Sequence, residues 1–117
     1  MLFNDQKAIY LQIIDHVMEK ILVKEWIAEQ KIPSVRELGA SIEVNPNTVM
    51  RAYDKLQQEG LIFNKRGLGF YVSTDAPTKI QQELRKNFMK NDAPKFFQHA
   101  KLLNISLNEI VSLYNEN

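Results

Sequence analysis

Arg36, Asn45, Asn47, Thr48, Arg51 and Lys55 make a run of hydrogen-bonding side chains with no nucleophile paired to a base among them, and Lys65 and Arg66 stand beside Gly67 and Gly69 a little further on. Arginine and asparagine carry fixed forks of donors or acceptors that match the edges of guanine and adenine, while lysine and arginine neutralise phosphates. Glycines beside cations let the backbone itself come close to such a surface. The chemistry on offer is non-covalent recognition of a polyanion bearing ordered bases. Covalent catalysis has little to work with. Cysteine is absent, the only histidines, His16 and His99, are far apart in sequence, and no serine triad, phosphate-cradling glycine loop or metal-ligand spacing occurs. No enzymatic activity, metal or cofactor is expected.

These residues need elements to hold them. Ile9, Tyr10, Ile13, Ile14, Val17, Met18, Ile21 and Leu22 recur every three or four positions, which predicts a helix from Asp5 to about Lys24 with one buried face. Pro33 stops any helix before it, and Ser34 with Glu37 three residues on forms a capping box for a short second helix, about Val35 to Ile42, with Val35, Leu38 and Ile42 inward. Gly39 lies inside that helix, where glycine costs about 1 kcal/mol relative to alanine, so close packing of the next helix against it is expected. Asn45 offers a cap and Pro46 a first position that needs no N–H, so a third helix opens there and ends at Gly60. Val49, Ala52, Tyr53 and Leu56 face inward on it. Asn47, Arg51, Lys55 and Gln58 lie opposite, with Thr48 on the flank nearest the helix start. A donor-rich face at the exposed N-terminal end of a helix is what reading a major groove requires.

Leu61 to Phe63 and Phe70 to Ser73 are short β-type runs separated by Asn64 to Gly69, which predicts a hairpin with Lys65 and Arg66 at its tip. Helices followed by such a hairpin make a winged helix-turn-helix, covering residues 1–75. The remainder, 76–117, reads as helical. Ile80, Leu84 and Phe88 form one stripe, Asn91 to Pro94 mark a boundary, Phe96, Phe97, Ala100 and Leu103 follow, and Ser106 with Glu109 opens a last helix. So short a tail cannot enclose that many large apolar groups by itself. Ile80, Leu84, Phe88, Phe96, Phe97 and Leu103 are therefore expected to meet a second copy, giving a mainly α fold with a small β-hairpin and a helical dimerisation tail. Trp26 is expected to pack over the end of the first helix.

The segments PSVREL at Pro33 to Leu38, VNPNTVMRAY at Val44 to Tyr53, LQQEGLI at Leu56 to Ile62 and GLGFYV at Gly67 to Val72 stand in an order and spacing that resembles the GntR family of bacterial transcription regulators. The match runs from about Ile9 to Val72, and the VNPNTV variant with a short helical tail looks most like the YtrA subfamily. The resemblance implies DNA contacts at Arg36, at Asn45, Asn47, Thr48 and Arg51, and around Arg66, Gly67 and Gly69 on the wing. It also implies a dimeric repressor paired through its C-terminal helices. Three positions depart from the family pattern. Lys24 and Glu29 replace glycines before the PS motif, so the exit of the first helix is expected to differ in shape. Glu43 replaces the glycine of the turn between the second and third helices, at a cost of roughly 1 kcal/mol if a positive φ is still needed. Met50 stands where other subfamilies carry a DNA-reading arginine.

Size and charge bound the rest. A chain of 117 residues leaves no room for a large effector domain beside the head, and 44% apolar with 25% charged residues is ordinary for a folded protein. No stretch approaches the ~18 apolar residues of a membrane span, and the N-terminus lacks a signal pattern, so a soluble, unprocessed cytoplasmic protein is expected. Charge offers no such support: residues 1–74 hold nine Lys or Arg against nine Asp or Glu. A DNA binder gains from a basic excess, so the case depends on where the charges lie. The expected function is a sequence-specific regulator acting as a homodimer on a pseudo-palindromic operator, with double-stranded DNA as partner and a small-molecule effector left unnamed. The alternative is a winged-helix protein-interaction module that works through its aromatic tail.

Overall fold

The computed structural model describes residues 6–117, and the chain divides into two compact units, one ending at Gln81 and the other spanning Gln82–Asn117. The first holds α1 (Ile9–Leu22), α2 (Val35–Ile42), α3 (Pro46–Gln58) and an antiparallel hairpin of β1 (Ile62–Lys65) and β2 (Gly69–Val72). α1 begins at Ile9, later than the periodicity suggested; the Asp5 start lies outside the described residues. Its inward face is Ile13, Ile14, Val17 and Ile21, packed with Leu38 of α2 and with Val49, Ala52, Tyr53 and Leu56 of α3. Phe70 and Val72 close this core from the hairpin, and each fully buried Val, Leu or Ile in it contributes about 1.5–3 kcal/mol. Trp26 packs against the cluster, as expected.

At the exit of α1, Lys24 and Glu29 both hold positive φ, 65° and 66°, so the chain adopts a left-handed backbone there without glycine. The bend returns residues 29–32 alongside β2. Glu29 N–H donates to Val72 O, Val72 N–H to Gln30 O and Ile32 N–H to Phe70 O, and Lys31 bridges to Tyr71. The hairpin therefore has a third, short backbone partner that the sequence did not announce.

The hairpin is also tighter than expected. Asn64, Lys65 and Gly69 belong to the ladder, with Lys65 opposite Gly69, and only Arg66, Gly67 and Leu68 form the tip. Gly67 at φ 79° and Gly69 at φ 117° supply the positive angles that close so short a loop.

α4 (Ala76–Asn87) starts directly after the wing, and its first turns belong to the head: Ala76 is fully buried and Ile80 is 1% exposed in the same core as Tyr53 and Val72. This corrects the placement of Ile80 on a pairing surface, because the head already encloses it. The seam between the units accordingly falls six residues beyond the expected 75.

In the second unit the break anticipated at Asn91 to Pro94 is absent. A π-helical turn (Phe88–Asp92) leads straight into α5 (Ala93–Leu102), and Ala93 N–H donates to Phe88 O, five residues back. Widening the helix by one residue lets it absorb Pro94, which has no N–H to give. Asn104 at φ 57° turns the chain, and α6 (Leu107–Glu116) opens on the Ser106 and Glu109 capping box as expected. Only Ala93 and Ala100 are buried here, while Phe88, Phe96 and Phe97 remain 53%, 55% and 43% exposed.

Candidate nucleic-acid interface

The entry to α2 is fixed by reciprocal bonds: Glu37 N–H donates to Ser34 Oγ at 3.1 Å, and Ser34 N–H donates to Glu37 Oε1 at 3.0 Å. The Ser34 N–H first, and the nearby Ser34 hydroxyl next, hold the Glu37 carboxyl below its ordinary value. Arg36 is thereby left exposed on the first turn. The turn between α2 and α3 closes through Glu43 in the left-handed region (φ 58°, ψ 47°), so the cost foreseen for a side chain there is incurred. Val44 N–H donates to Gly39 O at 2.8 Å, and a Cβ on Gly39 would lie 2.6 Å from Val44 O and 3.5 Å from Pro46 N. Gly39 is thus required by the close approach of the turn and the start of α3.

Asn45 Oδ1 accepts Asn47 N–H at 2.8 Å and caps α3, with Pro46 in the first turn. Arg36, Asn45 and Asn47 line one open groove with Val35, Pro46 and Met50. Asn47, Thr48 and Arg51 line an adjoining hollow with Ala8, Ile9 and Tyr10. The five polar residues placed together by the motif order therefore do share one surface. Met50 fills its middle, half-buried against the core.

Tyr10 has a second contact that periodicity does not show. It is half-buried against the core on the inward stripe of α1, and its ring also lies under the Arg51 guanidinium, 3.8 Å from centroid to Cζ. Stacking of this kind is worth about 0.5–1 kcal/mol at exposed sites and orients the guanidinium plane without consuming its donors. Only a partner across two helices creates it, so no local spacing could have signalled it.

Tyr53 ties the assembly together. Its hydroxyl donates to Pro33 O at 2.6 Å, and its ring meets the Phe70 ring edge-on at 4.9 Å. Burial pushes the phenol well above its usual range, so it stays protonated and remains a donor.

The wing forms a separate cluster. Arg66 and Gly67 sit at the tip as anticipated, whereas Lys65 ends β1 with its ammonium over the Tyr71 ring at 4.4 Å, beside Phe63 stacked on Tyr71. Lys55 pairs with Glu59 at 3.6 Å, away from the N-terminal end of α3.

Among the described residues the ion pairs are Lys7 with Asp15, Lys20 with Glu25, Lys55 with Glu59 and Lys79 with Asp75. None involves Arg36, Arg51, Lys65 or Arg66, so the cations of the polar surface and the wing carry no carboxylate partner among the described residues. The described residues contain no group of three or more His, Cys, Asp or Glu that could hold a metal, and no helix among them is long and apolar enough to cross a membrane.

Residues 9–72 match the family pattern of the bacterial regulatory proteins of the gntR family. The chain is 32% identical over 109 residues to the uncharacterized HTH-type transcriptional regulator YhcF of Bacillus subtilis (strain 168), covering 93% of this chain and 88% of that protein. It is 46% identical over 72 residues to the HTH-type transcriptional repressor YtrA of the same organism, covering 62% of this chain and 55% of that one. Among solved structures, a GntR family transcriptional regulator from Listeria monocytogenes superposes with TM-score 0.80 at 31% identity, covering 98% and 99% of the two chains. AraR(DBD) in complex with operator ORR3 superposes with TM-score 0.53 at 25% identity over 62% of this chain and 95% of that one.

Proposed function

The chain belongs to the gntR family of bacterial regulatory proteins and is YtrA-like within it, and on that premise we propose that it is a transcriptional repressor, acting as a homodimer on a pseudo-palindromic operator. The observation that carries this reading is the single surface formed by Arg36, Asn45, Asn47, Thr48 and Arg51 at the capped start of α3, with both arginines free of carboxylate partners among the described residues. In this reading α3 enters the major groove, Asn47, Thr48 and Arg51 address base edges, and Arg36 and the wing tip hold phosphates. Lys55, paired with Glu59, adds at most a peripheral contact. The superposition with an operator-bound AraR domain supports the same use of the head.

Pairing is assigned to the second unit, with a second copy as the occupant of its exposed apolar face. Leu84, Phe88, Phe96, Phe97 and Leu103 are all at least 36% exposed, and Phe88, Phe96 and Phe97 line a groove with Ile110 and Leu113. Two such heads about one helical turn apart would read a two-fold-related site. The reading contains no enzymatic step and places the protein with the chromosome in the cytoplasm.

Gel shifts on the region upstream of its own gene, titrated with salt, test the DNA reading, since affinity should fall steeply with ionic strength. Arg51→Ala should cost roughly 1–3 kcal/mol and relax base preference, whereas Arg66→Ala should weaken all sequences alike. Light scattering of the free protein tests the pairing, and a monomer at micromolar concentration sinks it. Affinity for DNA that ignores salt would favour the protein-interaction alternative.

A further inference from the structure

We infer that Lys31 is a DNA-phosphate contact in its own right, its aliphatic stem seated in the space that Gly69 leaves by having no side chain. The inference rests on the DNA-binding reading above and extends it to a residue outside the helix-turn-helix and outside the hairpin.

Lys31 pairs with Tyr71 through an isolated antiparallel bridge, so its side chain emerges on the same side of the sheet as Tyr71. That side is opposite Phe70 and Val72, which enter the core. Lys31 is exposed, and its stem crosses Gly69: a Cβ built there would come 3.0 Å from Lys31 Cε and 3.8 Å from Nζ. Any other residue at position 69 would push this lysine aside. The glycine therefore has a second task besides its φ of 117°, that of a seat for a neighbouring cation.

Lys31 also stands two residues before Pro33, where the chain enters α2. It lies between the entry to α2 and the wing, in the segment whose Ile32 N–H donates to Phe70 O. No carboxylate lies within ion-pair distance of it among the described residues. Glu37 is near enough to feel its charge, but that carboxylate already accepts Ser34 N–H in the capping box. A lysine whose terminal methylene rests over a glycine, with no carboxylate beside its ammonium among the described residues, is placed to reach a phosphate. With Arg36 at the α2 entry and Lys65 and Arg66 on the wing, it is one of four cations of the head without a carboxylate partner among the described residues.

The test uses the full chain and fluorescence anisotropy on a labelled mixed-sequence duplex several helical turns long, because phosphate contacts do not depend on sequence. Lys31→Met keeps the stem and removes the charge, and Lys31→Arg restores the charge. The inference expects Lys31→Met to bind several-fold more weakly at low salt. Its slope of log affinity against log salt should be shallower by about 0.9 per chain bound, and Lys31→Arg should recover both. Melting temperatures of the three proteins should agree. Wild-type affinity and slope in Lys31→Met overturn the inference while leaving the DNA-binding reading in place. Equal weakening by Met and Arg overturns it as well, since packing and not charge would then be the cause. Wild-type protein without salt-dependent binding overturns both.

Discussion

Replacing Tyr10 by leucine keeps an apolar side chain on α1 and removes the ring beneath the Arg51 guanidinium. At 3.8 Å from centroid to Cζ the stack is close, and Arg51 is exposed with no carboxylate partner among the described residues, so the ring is what braces it. An exposed cation–π contact is worth about 0.5–1 kcal/mol, which is about a two- to five-fold change in affinity for each half-site. Arg51→Ala alone should cost more, roughly 1–3 kcal/mol, because base contacts go with it. The decisive measurement is the double-mutant cycle, with operator affinity read by anisotropy for wild type, both single variants and the pair. If Tyr10 acts by orienting Arg51, then Tyr10→Leu should have no further effect once Arg51 is alanine. An equal penalty in both backgrounds refutes the reasoning, because Tyr10 would then touch DNA itself or support something other than Arg51. An unchanged affinity in Tyr10→Leu alone refutes it too.

Gly39→Ala places a methyl 2.6 Å from Val44 O, a backbone atom that can yield only by moving the turn, so a loss of about 1–3 kcal/mol is expected in thermal denaturation. Glu43→Gly should act in the opposite direction, since a left-handed backbone costs an ordinary residue about 1–2 kcal/mol and glycine gives back only part of this in chain entropy. A net gain of about 1 kcal/mol would raise the melting temperature of a domain this small by about 4–8 °C. Glu37 contributes a pH-dependent part of the stability. Its folded carboxyl titrates below its ordinary value of 4.5, chiefly through the Ser34 N–H bond, so its contribution is complete above pH 4.5 and lost as pH falls through the lowered value. Glu37→Gln should flatten the acid limb of a melting-temperature profile, and an unchanged limb would show that the capping box is not what titrates there.

Local chemistry made much of the fold legible. Ser34 with Glu37, Asn45 with Pro46 and Ser106 with Glu109 each satisfy orphan N–H groups at a helix start, and α2, α3 and α6 begin where those residues direct. The polar surface followed, because Asn47, Thr48 and Arg51 are placed by the same cap. What stayed hidden depends on partners distant in sequence. Tyr10 meets Arg51 across two helices, and the return of residues 29–32 beside β2 depends on two left-handed residues that carry no glycine signal. Pro94 read as a helix breaker because periodicity assumes i to i−4 bonding, whereas one bond to the fifth residue back carries the helix past it. Ile80 has the spacing of a tail residue, and only the burial of α4's first turns shows that the head claims it.

Tyr53 reaches the doorway of α2 through its phenol and the second wing strand through its ring, while its own backbone belongs to the groove-directed helix. If helix and wing engage DNA as proposed, this side chain helps set the gauge between the two probes. A gauge of this kind cannot widen one probe without shifting the other. Variation in groove width along a genome would then have to be accommodated by bending or twisting of the nucleic acid itself, and sequences that deform cheaply to that fixed span would be favoured even at base pairs no side chain reaches.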